Sequence, residues 1–421
     1  MAKRLLHMLL FILASMTIIL ILVIPVVFFN TSDAREVRSL VAKQTIAPQR
    51  LFIASWRNIK SLYVDPSMNH QDWTRWKYRY LKHIKTDEDV AIAVNTMLAS
   101  LDDPHSEFFD KKKYNLQDTY IRENKDGRDS IFKSPSGTTV QMKVIAGIVQ
   151  EAVVTVGSKY YENPKKGDMI LSINNYPLKG MEINSAVKLI RGTSSFSKVE
   201  ILRNNKLMTL SLVKGSMSID KLTYRIIDNN IVYISIFSLM GDKAPSEFNK
   251  IIKNNKNANG YIIDLRGDVG GLFLNAMYIA DELIDHGNLL TIHYRDGSQY
   301  TINAQLPSEP PQKPIVVLIN RKTASSSEIL AGTLRSNNKA ILVGEHTYGK
   351  TSIQKIIPMP NETGINLTTA KYTFGDEKML ENGYIEPDYQ VKITIKDILT
   401  GKDTQLNKAV EIIKKINKNT K

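Results

Sequence analysis

Apolar residues recur three and four positions apart from about Leu51 to Asn115. The segments WRNIKSLYVD and DEDVAIAVNTMLASL both show this spacing, which is that of one face of an α-helix. Thr86 and the three acids after it are typical of a helix start, because acids in the first turn interact favourably with the helix dipole. We therefore predict a helical region within residues 31–130, with a polar, strand-poor stretch at 120–135.

From about Ser136 to Lys214 the pattern changes to short β-branched runs separated by turns. The runs TTVQMKVIAG, EAVVTVG, SKVEILRNN and LMTLSLVKG predict strands, and one helical element, INSAVKLIRG, lies among them. Several strands with one or two helices indicate a small β-rich module, which we place at residues 131–215.

Strands and helices alternate beyond Asp220. The apolar runs IVYISIFS, GYIIDLRG, PIVVLIN and AILVGE predict strands, and the periodic segments between them predict helices. This alternation is typical of an α/β sheet, here over residues 216–395. The charged amphipathic segment DTQLNKAVEIIKKINK follows within 396–421 and predicts a surface helix.

One apolar run, Leu5–Phe29, has no such alternation and contains His7 as its single titratable group. As a helix it is long enough to cross about 30 Å of hydrocarbon. It is longer than the apolar core of a cleaved signal peptide and ends in VVFFNTS without small residues. We therefore predict a single-pass membrane anchor at residues 1–30. Lys3 and Arg4 before the run compete with Arg35 and Arg38 after it, so the flanking charges do not fix the orientation, and we place the rest of the chain on the extracytoplasmic side.

Composition excludes several function classes. The chain has 421 residues, 43% of them hydrophobic and 23% charged, which are ordinary globular values. Its net charge of +14 is spread along the chain without a motif that reads DNA or RNA, so we predict no nucleic-acid partner. The absence of cysteine excludes disulfides and cysteine nucleophiles, and no histidine has metal-like spacing, so we predict no metal or cofactor.

The stretch GEHTYGKT, residues 344–351, matches the phosphate-binding P-loop pattern letter for letter. A P-loop joins a strand to a helix, because the helix N-terminus and successive backbone amides hold the phosphates. AILVG before it is typical of a strand, but TSIQKIIPMP after it has β-branched residues and two prolines, which favour a second strand. We therefore predict no nucleotide site at Lys350.

Two further segments place polar residues or glycines where a strand meets a helix. NRKTASSSEILAG, which begins at Asn320, has serines that suit either helix caps or a site where a helix N-terminus favours negative charge. YIIDLRGDVGGLFLNA carries Gly270 and Gly271, which suit either a tight turn or an oxyanion hole. For each segment alone, both alternatives stay open.

Together the segments favour a catalytic site. The carboxyl ends of strands in an open α/β sheet share one edge, so Ser325 or a neighbouring serine, the glycine turn and Lys350 are expected to meet there. A serine and a lysine without cysteine indicate Ser/Lys nucleophilic catalysis. His346, near Lys350, is the one histidine that would suit a triad base. The predicted fold class is thus a multidomain α/β protein with a membrane anchor, a helical region and an inserted β-rich module.

From about Leu51 to Lys421 the chain resembles the carboxyl-terminal processing peptidases, or tail-specific proteases, which are membrane-associated or exported serine endopeptidases. The resemblance rests on motifs that occur in the family's order: SLYVDP, MLASLDDPHSEFF, KKGDMILSINNYPLKGM, AVKLIRG, IDLRGDVGGL, VVLINRKTASSSEILAG, VGEHTYGKTSIQ, LTTAKY and GYIEPD. It implies a Ser/Lys peptidase core at 216–395 and a PDZ-like domain at 131–215. The implied activity is cleavage of proteins near or from their C-termini.

The resemblance also implies a role for each site residue. Ser325 of the S-x-S-E signature matches the nucleophile, Lys350 of the G-K-x-S-x-Q element the general base, and Gln354 the residue that orients this lysine. The backbone amides of Gly271 and Ser326 match the oxyanion donors. Lys350 would act uncharged, which requires its pKa to fall from about 10.4 to roughly 7–8.

The chain departs from the family pattern at three places. Ser326 stands where the family usually has alanine, and Asp268 and Val269 stand where it has asparagine and proline. The start of the PDZ-like module lacks a recognisable loop for binding a terminal carboxylate. The third departure means that the resemblance supports the peptidase core more strongly than it supports peptide capture by the module. A second class of function also stays open, a catalytically silent, membrane-anchored scaffold that binds peptides through the PDZ-like module, although the intact Ser325, Lys350 and Gln354 argue against it.

The resemblance implies a set of partners as well. These are protein substrates with accessible C-terminal tails. The apolar run predicts a further partner, a membrane contacted through residues 5–29. A homo-oligomer or an adaptor protein stays open.

Overall fold

The structure is a computed structural model that describes residues 40–115, 138–145, 148–156, 164–181, 185–186, 189–190, 196–213, 217–219, 222–240, 243–305, 311–375, 380 and 382–419. The predicted polar stretch at 120–135 and most of the predicted helix INSAVKLIRG lie outside these residues.

The helices with both ends described are α1 Pro48–Leu62, α2 Thr74–Tyr80, α3 Asp87–Ala99, α4 Ala244–Asn254, α5 Phe273–Leu283, α6 Ser326–Ser336, α7 Ile395–Thr400 and α8 Thr404–Asn419. The strands are β1 Glu107–Phe109, β2 Thr138–Ile145, β3 Ile148–Val156, β4 Met169–Ile173, β5 Tyr176–Pro177, β6 Phe196–Arg203, β7 Lys206–Val213, β8 Met217–Ile219, β9 Leu222–Ile227, β10 Ile231–Ile236, β11 Gly260–Asp264, β12 Asn288–Tyr294, β13 Gln299–Asn303, β14 Ile315–Ile319, β15 Ile341–Gly344, β16 Ser352–Met359, β17 Thr363–Thr373 and β18 Tyr389–Gln390.

The chain divides into two compact units, and the first takes its residues from 1–117, 293–300 and 353–370. The predicted helical region is confirmed here as α1, α2 and α3. Helix α3 begins as predicted, because Thr86 Oγ1 accepts the Asp89 amide at 3.2 Å and Asp89 Oδ2 accepts the Thr86 amide at 2.9 Å. The apolar faces of α1 and α3 form one core, and β1 pairs antiparallel with β17 beside it.

The second unit takes its residues from 118–292, 301–352 and 371–421 and contains two sheets with separate cores. The first sheet has the strand order β18-β15-β14-β11-β10-β9 and is parallel except for β9. Every residue of β11 and β14 is buried, as expected of central strands covered on both faces. The predicted alternation of strands and helices is confirmed in this sheet.

The predicted surface helix is α8, and its apolar face completes the core of this sheet. Ala409 and Ile413 are fully buried among residues of β11, β14 and β15. The remaining face of α8 is rich in lysine. The amphipathic pattern therefore arises because one side of the helix packs on the sheet and the other side faces solvent.

The second sheet of this unit contains β2 to β8 in the order β7-β6-β4-β3-β2-β8, with β5 on β4. Its pairs are antiparallel except β2 with β8. The β-rich character predicted between Ser136 and Lys214 is thereby confirmed. The domain boundaries themselves stay predictions.

The sequence reading missed one hairpin, formed by β12 and β13. Tyr294 N donates to Ser298 O at 2.9 Å across the turn, and Gly297 has a φ of +82°. Asp296-Gly297 between two alternating runs is a strong hairpin signal, so the sequence did contain this information.

The predicted localisation, a single-pass membrane anchor with an extracytoplasmic enzyme, is contradicted. Across the described ranges no helix combines the length and apolarity needed to cross a membrane. The longest of them, α8, has 16 residues and four lysines and spans only about 24 Å. The run Leu5–Phe29, on which the prediction rested, lies outside the described residues.

Candidate active site

The candidate site lies at the carboxyl edge of the parallel sheet. Asp264 at the end of β11 pairs with Leu318 of β14, and Leu318 pairs with Val343 of β15. The loops that follow these three strands therefore start side by side. They are tied together by backbone hydrogen bonds, from Ala324 N to Asp268 O at 3.0 Å and from Tyr348 N to Thr323 O at 2.9 Å.

Ser325 occupies a strained backbone position where the loop after β14 turns into α6. Its φ is +58° and its ψ is −123°, a combination that a residue with a side chain rarely adopts. Such strain costs on the order of 1–3 kcal/mol and is retained where function requires a sharp turn. A serine on a strand-to-helix elbow presents its hydroxyl beside the amides of the helix N-terminus.

The carboxylate of Glu328 joins the two candidate catalytic residues. It is 1% exposed, and Oε2 accepts the amide of Ser325 at 2.8 Å and that of Lys350 at 2.9 Å. Oε1 accepts the amide of Gly349 at 2.7 Å. A single oxygen atom therefore holds the backbones of Ser325 and Lys350 close together.

Tyr372 fixes the other side of the Lys350 peptide. Its hydroxyl donates to Lys350 O at 2.9 Å. Burial, and then the nearby charge of Glu328, raise the pKa of Tyr372 well above its usual value, so the hydroxyl remains a donor. Lys350 is thus held through both its N–H and its C=O.

The glycine turn packs directly against the serine. Gly270 has a φ of +97°, and a Cβ there would lie 2.8 Å from Ala324 O and 3.0 Å from Ser325 Cβ. A Cβ on Gly271 would lie 2.2 Å from the carbonyl carbon of Leu239, whose backbone brackets the turn. Only glycine fits at either position.

The two amides predicted as oxyanion donors are available. Within the described part of the chain, neither the Gly271 amide nor the Ser326 amide donates to another protein atom. Ser326 N belongs to the first turn of α6, where helix amides have no intrahelical acceptor.

Asp268 lies under the glycine turn and is fully buried. Its Oδ1 accepts the Gly270 amide at 2.9 Å. Burial raises the pKa of Asp268 to about 7, while hydrogen bonding with the Gly270 amide and the Ser327 hydroxyl opposes this shift. The sequence marks Asp268 only as a departure from the family pattern, and its burial was not predictable.

The structure assigns other contacts to two further candidates. Gln354 lies on β16 in the first unit, and its Nε2 donates to Thr368 Oγ1 at 3.0 Å, so its relation to Lys350 stays a prediction. His346 has Nδ1 2.8 Å from Thr347 O and stacks on Tyr384 with ring centroids 4.3 Å apart. The segment after Lys350 is the strand β16, which confirms the prediction that it does not continue as the helix of a P-loop.

Arg266, next to the glycine turn in sequence, has a structural role. Its guanidinium binds Asp264 at 2.6 Å and Asp403 at 2.8 Å and also donates to Gln405 at 2.9 Å. With its side chain only 3% exposed, it joins the end of β11 to the start of α8. Across the described ranges, no cluster of histidine, aspartate and glutamate has the arrangement of a metal site.

Comparison with known proteins agrees with this arrangement. The profile described as peptidase family S41 matches residues 230–391. A carboxy-terminal processing protease of Bacillus subtilis is 31% identical over 321 residues, which cover 74% of this chain and 66% of that protein. A carboxyl-terminal-processing protease of Synechocystis is 28% identical and is covered to 86% of its length, with 87% of this chain aligned.

The solved structure of a photosystem II D1 C-terminal processing protease superposes with a TM-score of 0.55 at 25% identity, covering 83% of this chain and 94% of that one. The fold and these relatives define a serine-type endopeptidase, a class that acts on protein substrates. The chain belongs to peptidase family S41, and the two relatives described above are named carboxyl-terminal processing proteases. The resemblance predicted from the sequence motifs is thereby confirmed.

Proposed function

We propose that this protein cleaves substrate proteins near or from their C-termini with a Ser325–Lys350 dyad. The observation that carries the proposal is the buried Glu328 carboxylate, whose Oε2 accepts the backbone amides of both residues. Ser325 stands on a strained elbow at the N-terminus of α6. Such an elbow suits a nucleophile better than an ordinary helix cap, which has extended backbone angles.

In the proposed mechanism, Ser325 Oγ attacks the peptide carbonyl carbon while its proton passes to the uncharged Nζ of Lys350. The carbonyl oxygen becomes an oxyanion that accepts hydrogen bonds from the amides of Gly271 and Ser326. When the C–N bond breaks, Lys350 returns the proton to the leaving amine. Water then attacks the acyl ester while Lys350 takes one of its protons, and Lys350 passes that proton to Ser325 Oγ as the ester bond breaks. This releases the new C-terminus and restores both Ser325 and uncharged Lys350. Each oxyanion donor typically contributes about 3 kcal/mol.

Two further parts of the proposal concern Gln354 and the β2–β8 module. Gln354, as an uncharged amide, would align the Lys350 amine without retaining its proton. The module would act as a PDZ-like domain that captures or senses the substrate's C-terminal tail, with 131–215 as its boundaries. A PDZ-like site adds a peptide strand to a sheet edge and binds its terminal carboxylate.

The dyad is tested with an unfolded, tail-exposed protein as substrate. Wild type is compared with Ser325→Ala, Lys350→Ala and, as a matched control at the other end of α6, Ser336→Ala. We expect the first two variants to lose cleavage by at least about 1,000-fold and the control to retain it. Equal cleavage by all four proteins would exclude the dyad.

Tail capture needs its own comparison. Matched peptides with a free or an amidated C-terminus are supplied to wild type, and we expect amidation to raise KM. Equal KM for both would contradict carboxylate recognition. Binding of the free peptide without turnover, in wild type as in Ser325→Ala, would favour the silent scaffold instead.

A further inference from the structure

The carboxyl group of Asp268 is the one acidic side chain buried directly under the glycine turn in the described part of the chain. Its Oδ1 accepts the Gly270 amide at 2.9 Å, and its backbone oxygen accepts the Ala324 amide at 3.0 Å. Asp268 therefore contacts both segments that flank the proposed oxyanion hole, one before Gly271 and one before Ser325.

The second carboxyl oxygen, Oδ2, is less well satisfied. Among the described residues, Asp268 Oδ2 is buried without a hydrogen bond of standard geometry, and so are the hydroxyl oxygens of Ser326 and Ser327 at the start of α6. The Ser327 hydroxyl is still close enough to the carboxyl group to lower its pKa. A Cβ on Gly270 would lie 2.9 Å from Ser326 Oγ, so these groups surround the same turn. A buried carboxylate with one hydrogen bond is costly, whereas a carboxylic acid can leave one oxygen as acceptor and place its proton on the other.

Charged groups on the surrounding segments are already engaged. Arg266, on the same loop as Asp268, binds Asp264 and Asp403. On the loop after β14, Arg321 lies 3.5 Å from Glu345, and Lys322 also has its own interactions. Glu328 on α6 accepts three backbone amides, and Lys350 has at least one interaction besides its bonds to Glu328 and Tyr372.

We propose that Asp268 is a positioning residue that holds the glycine turn against Ser325, and that its uncharged form supports catalysis. The inference rests on the proposed function, because it concerns the oxyanion hole of that reaction. A negative charge on Asp268 would lie behind the two amides that must bind a developing oxyanion, so ionisation would weaken transition-state stabilisation. Burial raises the pKa of this carboxyl group to about 7, so its uncharged form predominates below that pH.

The test compares wild type with Asp268→Asn, Asp268→Ala, Ser325→Ala and a control, Asp296→Asn, which alters an exposed carboxyl in the β12–β13 turn. Initial rates give kcat and KM from pH 5.5 to 9. Titration of Lys350 changes kcat with pH in both proteins, so dividing kcat of Asp268→Asn by kcat of wild type cancels this shared pH dependence. We expect this ratio to be close to one at pH 5.5 and to rise to about tenfold above pH 8.

Asp268→Ala removes the acceptor for the Gly270 amide at every pH. We expect its kcat to fall about tenfold or more with little change in KM, because the turn that presents Gly271 loses its support. Thermal unfolding of each variant separates this effect from loss of the fold, and Asn, which keeps the shape, should recover the activity lost in Ala.

The outcomes separate the inference from the proposed function. If wild type cleaves and Ser325→Ala does not, but the Asp268→Asn ratio is flat with pH, the inference is wrong and the dyad stands. If wild type is as inactive as Ser325→Ala at every pH, the proposed function is wrong, and the inference that rests on it is wrong as well. A ratio that rises equally for Asp296→Asn would also overturn the inference.

Discussion

Glu328 and Lys350 are joined by a hydrogen bond of 2.9 Å from the lysine's backbone amide to a carboxylate that is 1% exposed. The same oxygen accepts the amide of Ser325. Because Glu328 lies in the first turn of α6, the helix that follows Ser325 also positions the loop that carries Lys350. The backbones of the two residues of the proposed dyad are therefore held together by the buried carboxylate of Glu328.

We predict that Glu328→Gln lowers kcat about 100-fold or more. An amide has only one acceptor oxygen, so its NH2 group must face at least one of the three backbone N–H donors. Steady-state kinetics and thermal unfolding together check this. The matched control is Glu345→Gln, at the end of β15 with a partly exposed side chain, and we expect it to stay near wild type. An unchanged kcat in folded Glu328→Gln would show that the bridge is dispensable.

Gly270→Ala should abolish activity through a collision with the nucleophile segment. Its Cβ would lie within 3.0 Å of both Ala324 O and Ser325 Cβ. Gly267→Ala separates this collision from backbone strain, because Gly267 has a φ of +82° on the same loop but open space around its Cβ position. We expect the Gly267 variant to lose stability, by roughly 1 kcal/mol, yet to keep most of its kcat. Equal losses of kcat in the Gly267 and Gly270 variants would show that backbone strain alone, and not the collision, lowers the activity.

We expect Tyr372→Phe to lower kcat about tenfold and stability by about 1 kcal/mol. The substitution removes the hydroxyl that donates to Lys350 O and leaves that carbonyl without this donor. Tyr294→Phe is the control, since Tyr294 OH is buried without a hydrogen-bond partner among the described residues. That variant should be neutral or slightly more stable. Chemical denaturation and steady-state kinetics are measured on both variants. A larger loss of kcat or of stability in Tyr294→Phe than in Tyr372→Phe would contradict the prediction.

The pair of Arg266 and Asp403 predicts a pH-dependent contribution to stability. Burial opposes ionisation of Asp403, but the Arg266 guanidinium outweighs it and lowers the carboxyl pKa. A lowered folded pKa means that the stabilisation is complete above the unfolded value of about 3.9 and is lost as the pH falls through the folded value. Asp403→Asn should therefore cost about 3 kcal/mol near pH 7, and the difference from wild type should shrink below about pH 4.

The control for this prediction is an exposed ion pair on α8, the helix that follows Asp403. Glu411, which pairs with Lys408 at 2.8 Å on α8, is replaced by Gln, and we expect a change within about 0.5 kcal/mol. Urea denaturation of the three proteins at several pH values measures these differences. A difference between Asp403→Asn and wild type that stays constant down to pH 3 would contradict the assigned pKa shift.

The sequence by itself determined the family, the main helices and the strands of the parallel sheet. The spacing of apolar residues depends on local backbone geometry, three to four positions in a helix and a short apolar run in a buried strand. For this reason α3 with its Thr86 cap and the strands β10, β11, β14 and β15 were predictable. The order of motifs was sufficient to recognise the peptidase family. The sequence also predicted that the candidate site lies at the carboxyl edge of the sheet. Strands that alternate with helices along the chain are parallel, so their carboxyl ends lie at the same edge.

Only the tertiary structure decided what each polar residue contacts. Glu328, Asp268 and Tyr372 lie in segments that the sequence already singled out, but their burial and their partners depend on packing between residues far apart in the chain. The pKa of Asp268 differs from that of an exposed carboxyl for the same reason, since desolvation is a property of the surroundings and not of the residue. The elements of this peptidase are thus encoded locally, whereas the electrostatics of its site arise from the fold.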